Sequence, residues 1–209
     1  MIEKLACKMG RNDEIPNIEL AEYLCQHNDA AGIKDLVAGL LGRDKAVAND
    51  CIKVLYEIGE RNPELIFGYV SEFISCLHSK NNRIVWGSMT ALAKIVESAS
   101  ETIFEKLPVI KSAYDNGSVI TVDNSISVFA GLCKANDNYA ETVLPIIISH
   151  LQKCRPKDVP QHAERASICF NSKKSKTFTE VLEKRLPHLV SSGQSRVNKL
   201  LKKLQNFQE

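Results

Sequence analysis

The chain has 209 residues, with 27 Lys and Arg against 25 Asp and Glu, and apolar residues make up 44% of it. This length and composition are those of an ordinary folded protein with one sizeable domain or one short repeat array. No stretch approaches the ~18 apolar residues that a membrane span needs. Glu3 and Lys4 stand where a secretion signal would begin its apolar segment, so we expect neither membrane insertion nor secretion.

The charges are unevenly distributed along the chain. Residues 1–149 carry 14 Lys and Arg against 20 Asp and Glu, whereas residues 150–209 carry 13 against 5. A basic region of this kind indicates either a solvated end of the fold or attraction to an acidic partner, protein or nucleic acid. The basic residues concerned are Lys173, Lys174, Lys176, Lys184, Arg185, Arg196, Lys199, Lys202 and Lys203.

Seven cysteines occur, an odd number, and no CxxC motif is present. Most of them fall on apolar faces of predicted helices, where a cysteine behaves as a small apolar residue. Because a disulfide framework is typical of secreted proteins, this pattern favours reduced cysteines in a cytoplasmic protein.

The first predicted elements are two short helices. Ile2, Leu5, Ala6 and Met9 form one apolar stripe, and Pro16 opens a second helix that reads NIELAEYLCQH. We interpret residues 1–29 as a degenerate first repeat, since the end repeats of a stack are usually atypical.

From residue 30 onward, pairs of helical patterns repeat. A branched apolar residue follows a polar turn every 37 or 38 residues, and each one begins a helix with an apolar stripe on one face. The stripes include Cys51, Leu55, Ser88, Leu92, Ile126, Phe129 and Ala163. The residues that begin the five helices are Val47, Ile84, Val122, Val159 and Val197.

Another predicted helix precedes each of these five. Three of the preceding helices contain a Leu-Pro pair, at Pro108, Pro145 and Pro187. Proline is tolerated in the first turn of a helix and kinks or breaks its interior. The recurrence therefore predicts that the three prolines share one role, as the start or the kink of the first helix in each repeat.

The stretches LPVIKSAYDNGSVITVDNSISVFAGL and YVSEFISCLHSKNNRIVWGSMTALAKI resemble HEAT repeats of the armadillo-like superfamily. The resemblance implies an all-α fold, a right-handed α-α superhelix of about five helical pairs plus a partial N-terminal repeat. It implies one domain over residues 1–209, with stacked repeats over 30–190 and a capping helix over 191–209. The arginine that often follows the turn valine in HEAT repeats is absent here.

In HEAT-like stacks the second helices line a concave face, and the resemblance therefore implies where a partner would bind. Tyr56 and Trp86 are the most suggestive residues on that face, because Tyr and Trp are enriched at binding hot spots. The alternative is that Trp86 packs back against a neighbouring helix. The predicted partner-binding residues are Asn49, Lys53, Tyr56, Trp86, Thr90, Asn124, Arg165, Lys199 and Lys203.

No motif for catalysis, nucleotide binding or metal binding is complete. GxGxxG, GxxxxGK[ST], HExxH and GxSxG are all absent. His150 and Cys154 are four residues apart on one predicted helix, which is half of a metal site. The spacing of seven between His162 and Cys169 is a poor match for the other half, so we expect no metal, no other cofactor and no enzymatic activity.

Three functions remain open from the sequence. The first is a non-enzymatic scaffold or adaptor that binds another protein along the concave face. The second is a nucleic-acid-binding protein, possibly a relative of the DNA glycosylases for alkylated bases, which are built from HEAT-like repeats. The third is a regulatory subunit that works only inside an assembly.

Overall fold

The computed structural model describes residues 1–170 and 175–205. Within these residues the chain forms twelve α-helices, joined by turns and short 3-10 helices, and no β-strand. None of the described helices is long and apolar enough to cross a bilayer. The helices are α1 (Ile15–His27), α2 (Ala30–Leu40), α3 (Lys45–Arg61), α4 (Val70–Cys76), α5 (Asn82–Ile95), α6 (Ser100–Glu105), α7 (Leu107–Asn116), α8 (Val119–Ala135), α9 (Asp137–Lys153), α10 (Val159–Ala166), α11 (Ser175–Arg185) and α12 (Ser191–Gln205).

The chain divides into two compact units, Met1–Ser125 and Ile126–Glu209, with the boundary inside α8. In the first unit α3 packs against α1, α2 and α5, and α4 packs against α5. In the second unit α9 packs against α10 and α11, and α12 packs against α10 and α11. The extent of a single domain over residues 1–209 stays a prediction, and residues 206–209 of the expected cap lie outside the described residues.

Polar residues in the predicted turns cap the helices that follow them. The Asp44 carboxylate accepts hydrogen bonds from the backbone N–H groups of Ala46 and Val47, and the Asn81 side chain accepts one from Arg83 N. An aspartate or asparagine before the first turn satisfies N–H groups that have no partner inside the helix. The predicted starts of α3 and α5 are therefore confirmed.

The predicted apolar stripes form the core. Cys51, Leu55 and Ile58 of α3 are fully buried, as are Ser88 and Leu92 of α5. In the second unit the buried residues of the predicted stripes include Ile126, Phe129, Val159, Ala163 and Val197. The periodicity of 37 or 38 residues thus identified the buried face of the second helix in each repeat.

The last helix begins at Ser191, the residue at which the capping helix was expected to start. The polar stretch from Gly193 to Arg196 was interpreted as a turn before Val197, but it lies inside this helix. The glycine there serves close packing, since a Cβ at Gly193 would lie 3.2 Å from Cγ of Pro160 in α10. The glycine lets two helices approach each other, and it does not end a turn.

The three Leu-Pro pairs do not share one role, so that prediction is also wrong. Pro108 lies in the first turn of α7, Pro145 lies inside α9, and Pro187 belongs to a 3-10 helix that follows α11. The missing N–H group of proline is therefore accommodated differently at the three positions.

The contact between α3 and α5 depends on a glycine. A Cβ at Gly87 of α5 would lie 2.7 Å from Cγ1 of Ile52, a fully buried residue of α3. No real Cβ makes a contact that short, because the overlap is strongly repulsive. The absence of a side chain at Gly87 therefore sets the separation of the two helices.

We predict that Gly87→Ala destabilises the protein by about 1–3 kcal/mol, because the added methyl group overpacks the α3–α5 contact. Urea unfolding followed by far-ultraviolet circular dichroism measures the effect. Gly68→Ala is the matched control, since nothing lies within 4 Å of a Cβ at that position. Equal stability of the two variants would contradict this account of the packing.

Candidate interaction surface

Two aromatic side chains meet across neighbouring helices of the first unit. The ring centroids of Tyr56 on α3 and Trp86 on α5 are 5.9 Å apart, with an angle of 47° between the ring planes. Both side chains are half-buried. Trp86 thus packs against the neighbouring helix, as the alternative reading held, and still keeps part of its ring at the surface. A tilted pair of this kind is a favourable aromatic geometry.

Two cations lie over the aromatic pair. The Lys53 ammonium is 4.9 Å from the centre of the Tyr56 ring, and the Arg83 guanidinium carbon is 6.0 Å from that of Trp86. Both distances are within the range of cation–π attraction. Attraction between each cation and its ring therefore favours one position of each aromatic side chain.

Lys53 was predicted to face a partner, but its side chain is only 8% exposed. Its ammonium lies 2.9 Å from a carboxylate oxygen of Glu14 and 2.8 Å from one of Glu57. Glu14 also pairs with Arg83 at 2.9 Å. A buried ammonium needs such partners, because the loss of its hydration is costly. The exposed position predicted for Lys53 is therefore wrong.

The carboxylate of Glu57 shows the strength of this charge network. Burial acts to raise the pKa of Glu57, but hydrogen bonds from Lys53 and Arg61 outweigh it and hold the pKa below its ordinary value of 4.5. Burial likewise acts to lower the pKa of Lys53, and its bonds to Glu57 and Glu14 raise it overall. Both groups are thus held in their charged forms.

Polar side chains join neighbouring helices beside the aromatic pair. The Asn81 amide donates a hydrogen bond of 2.8 Å to Asn49 Oδ1. The Asn124 amide at the start of α8 donates one of 3.0 Å to Thr90 Oγ1, and the Thr90 hydroxyl donates to the backbone oxygen of Trp86 at 2.8 Å. Asn124 is buried by these contacts, so the exposed position predicted for it is wrong.

The structure brings together six of the nine predicted residues. We call them the α3–α5 surface: Asn49, Lys53, Tyr56, Trp86, Thr90 and Asn124. Glu14, Asn81 and Arg83 also belong to it by their contacts, and sequence reasoning did not identify them. Glu14 lies in the degenerate N-terminal segment, 39 residues before Lys53, and no periodic pattern connects the two.

The other three predicted residues lie in the second unit. Arg165 on α10 donates a hydrogen bond of 2.7 Å to Ser127 Oγ, and Lys199 and Lys203 are exposed on α12.

Two arginines of the basic region form contacts between helices of the second unit. The Arg185 guanidinium donates hydrogen bonds to backbone oxygens at the end of α9, including those of Leu151 and Cys154. Arg196 forms a bidentate pair with Glu164 of α10. Lys173 and Lys174 of this region lie outside the described residues.

No protein-family model matches the chain, and no characterised protein matches its sequence. Solved structures do match. A designed armadillo repeat protein in complex with the peptide (KR)4 superposes with a TM-score of 0.68 at 16% identity, over 88% of this chain and 85% of that one. The chain has an armadillo-like helical-repeat fold.

Two further structures support the same fold. Computationally designed armadillo repeat proteins for modular peptide recognition match with a TM-score of 0.67 at 14% identity, over 90% of this chain and 91% of that one. An engineered protein from a structural genomics consortium matches with a TM-score of 0.64 at 19% identity, over 98% of this chain and 96% of that one. Similarity at this level of identity concerns the fold alone.

We predict that Glu57→Gln lowers the free energy of unfolding at pH 7 by about 1–2 kcal/mol, since hydrogen bonds to charged groups contribute more than neutral ones. Because the pKa of Glu57 is lowered in the folded state, its stabilisation is present above its ordinary pKa and is lost as the pH falls through the folded value. The difference from the wild type should therefore shrink below about pH 4.5. Urea unfolding over a pH series measures it.

Glu19→Gln is the control for this experiment, because Glu19 is an exposed glutamate of α1. It should leave the stability unchanged over the whole series. A gap between wild type and Glu57→Gln that stays constant on acidification would contradict the role of the Glu57 charge.

Proposed function

We propose that the protein is a scaffold that binds a peptide segment of a partner protein on the α3–α5 surface. The observation that carries the proposal is the half-exposed Tyr56–Trp86 pair, formed by two successive second helices. Large aromatic side chains with fixed positions lose little conformational entropy on binding and dominate many interfaces. The Lys53 and Arg83 contacts fix this pair before any partner arrives.

The polar pairs beside the aromatic rings support binding of an extended peptide. Asn49 and Asn81 are linked by one hydrogen bond, and an amide side chain carries two donor hydrogens and one acceptor oxygen. The pair therefore keeps hydrogen-bonding capacity that backbone groups of an extended peptide can use. One of the similar designed proteins is in complex with the peptide (KR)4, and others are designed for modular peptide recognition, which supports this mode.

The charge of the first unit favours a basic partner segment. Residues 1–125 contain 13 Lys and Arg against 18 Asp and Glu. Glu22 and Glu60 are exposed but pair with Arg61 and Lys94. Further exposed carboxylates of this unit are Glu19, Glu101 and Glu105. An acidic surface attracts basic segments and repels acidic ones. The proposed ligand is therefore an extended segment that carries Lys or Arg together with apolar side chains.

The proposed scaffold works without catalysis and in a reducing compartment such as the cytoplasm. All seven cysteines are free thiols. Burial raises the pKa of the Cys51 thiol to about 12 and that of the Cys7 thiol to about 11. A protonated thiol is a poor nucleophile, which suits cysteines that serve packing.

We predict that peptides selected from a random library against the immobilised wild-type protein are enriched in Lys and Arg. Trp86 is the one tryptophan of the chain, so its fluorescence reports binding at this surface directly. The selected peptide should change this fluorescence saturably. Enrichment in Asp and Glu, or binding without any change in Trp86 fluorescence, would contradict the proposal.

Tyr56→Ala and Trp86→Ala should each weaken binding of the selected peptide by about 30-fold, the loss of ~2 kcal/mol that defines a hot spot. Polarisation of a labelled peptide measures all variants alike. Tyr23→Ala is the matched control: Tyr23 on α1 stacks on His27 at 4.2 Å and has the Lys4 ammonium 4.4 Å from its ring centre. Equal affinities of the three variants would refute the aromatic anchor.

A further inference from the structure

Three possible metal ligands meet in the second unit. His150 lies in the last turn of α9, Cys154 follows the end of that helix, and His162 lies in α10. One ligand atom from each of the three side chains lies within 4.8 Å of the others. His150 Nε2 and His162 Nδ1 are 2.7 Å apart. His150 and Cys154, which the sequence indicated as half of a metal site, are thus joined by His162. Cys169 does not belong to this group.

The local fold explains why these residues converge. His150 and Cys154 are four residues apart, one helical turn, and so point to the same side of α9. The Arg185 guanidinium donates a hydrogen bond to the backbone oxygen of Cys154, which fixes the end of the helix. The short connection to α10 is held by an ion pair of 2.6 Å between Arg155 and Asp158.

We propose that His150, Cys154 and His162 bind a zinc ion between α9 and α10. Two imidazole nitrogens and one thiolate are ligands that Zn²⁺ prefers, whereas Mg²⁺ and Ca²⁺ prefer oxygen. Around a tetrahedral zinc, with Zn–N of about 2.0–2.1 Å and Zn–S of about 2.3 Å, ligand atoms lie roughly 3.3–3.6 Å apart. The two histidine nitrogens, 2.7 Å apart, are closer than this, and no ligand atom of the three is more than 4.8 Å from another, so side-chain shifts of about 1 Å complete the geometry.

The contact between the two histidines alone does not account for the cluster. A hydrogen bond between the two histidine rings explains their proximity to each other. It does not explain why Cys154, a third possible metal ligand, lies beside them. The Cys154 thiol is only loosely engaged by the protein: its nearest recorded acceptor is the Leu151 backbone oxygen at 3.9 Å. By contrast, the Cys169 sulfur lies 2.9 Å from the Ala166 backbone oxygen.

Three protein ligands leave one position of a tetrahedral zinc to solvent or to a donor from another molecule. Both histidines are buried, and Cys154 is half-buried. The bound ion would connect α9 and α10 and would therefore stabilise the second unit. The site takes no part in the proposed peptide binding, which involves residues of the first unit.

The test is calorimetric titration of the dialysed full chain with ZnCl2, under a non-thiol reductant and at mildly alkaline pH. We expect one equivalent of tightly bound zinc and a rise in the thermal unfolding midpoint. Cys154→Ser and His162→Ala should each weaken binding at least tenfold, since each removes one of three ligands. Cys25→Ser, another half-buried cysteine, and His188→Ala, an exposed histidine, are the matched controls and should bind as the wild type does.

A second measurement guards against loss of structure in the variants. Co²⁺ bound in place of Zn²⁺ should give a thiolate-to-cobalt charge-transfer band and intense d–d bands in the wild type and in Cys25→Ser. The charge-transfer band should be missing in Cys154→Ser, and far-ultraviolet circular dichroism of that variant should show that its helices remain. Absence of zinc binding by the wild type, or undiminished binding by a folded Cys154→Ser variant, would overturn the proposal.

Discussion

The burial of α3 on several sides is the constraint on which the first unit depends. This helix packs against α1, α2 and α5, and five of its residues from Cys51 to Ile58 are completely buried and apolar. A helix surrounded in this way must use small residues where a neighbour comes close and must pair any charge that it carries. Gly87 on the facing helix meets the first requirement. Glu14 and Glu57 meet the second, for Lys53.

The candidate surface follows from that constraint. Because Lys53 is buried beside α1, its charge is compensated within the unit, and its ammonium lies 4.9 Å from the centre of the Tyr56 ring. Glu14 then also pairs with Arg83, which lies over Trp86. One carboxylate therefore connects the cations of both aromatic residues. Ion-paired cations therefore hold both partly exposed rings in fixed positions, and such preorganisation lowers the entropic cost of binding.

The sequence predicted the fold well and the candidate site in part. Apolar periodicity reports burial, so the stripes beginning at Val47 and Ile84 were identified correctly. Periodicity does not report what a polar residue contacts, and Lys53 was therefore placed at the surface. The stretch from Gly193 to Arg196 was mistaken for a turn because glycine has two uses: Gly193 lies inside α12 and permits a close approach to Pro160.

Ligand sets from different helices are equally hard to predict. His150 and Cys154 were recognisable from a spacing of one helical turn, but His162 lies twelve residues after His150, beyond a turn whose direction no periodic pattern encodes. The distance of 2.7 Å between the two rings depends on how α10 packs on α9. The sequence shows which side chains of one helix lie on the same face. Which side chains of two helices meet depends on how the helices pack.

Contacts between neighbouring second helices of the first unit do not join residues at the same position in the repeat. Tyr56 is nine residues after Val47, yet it meets Trp86, only two residues after Ile84. Thr90 is six residues after Ile84 and meets Asn124, two residues after Val122. In both pairs the partner on the later helix lies about one or two turns nearer its start. Neighbouring second helices are therefore staggered, and a peptide bound as proposed would meet Tyr56 together with Trp86.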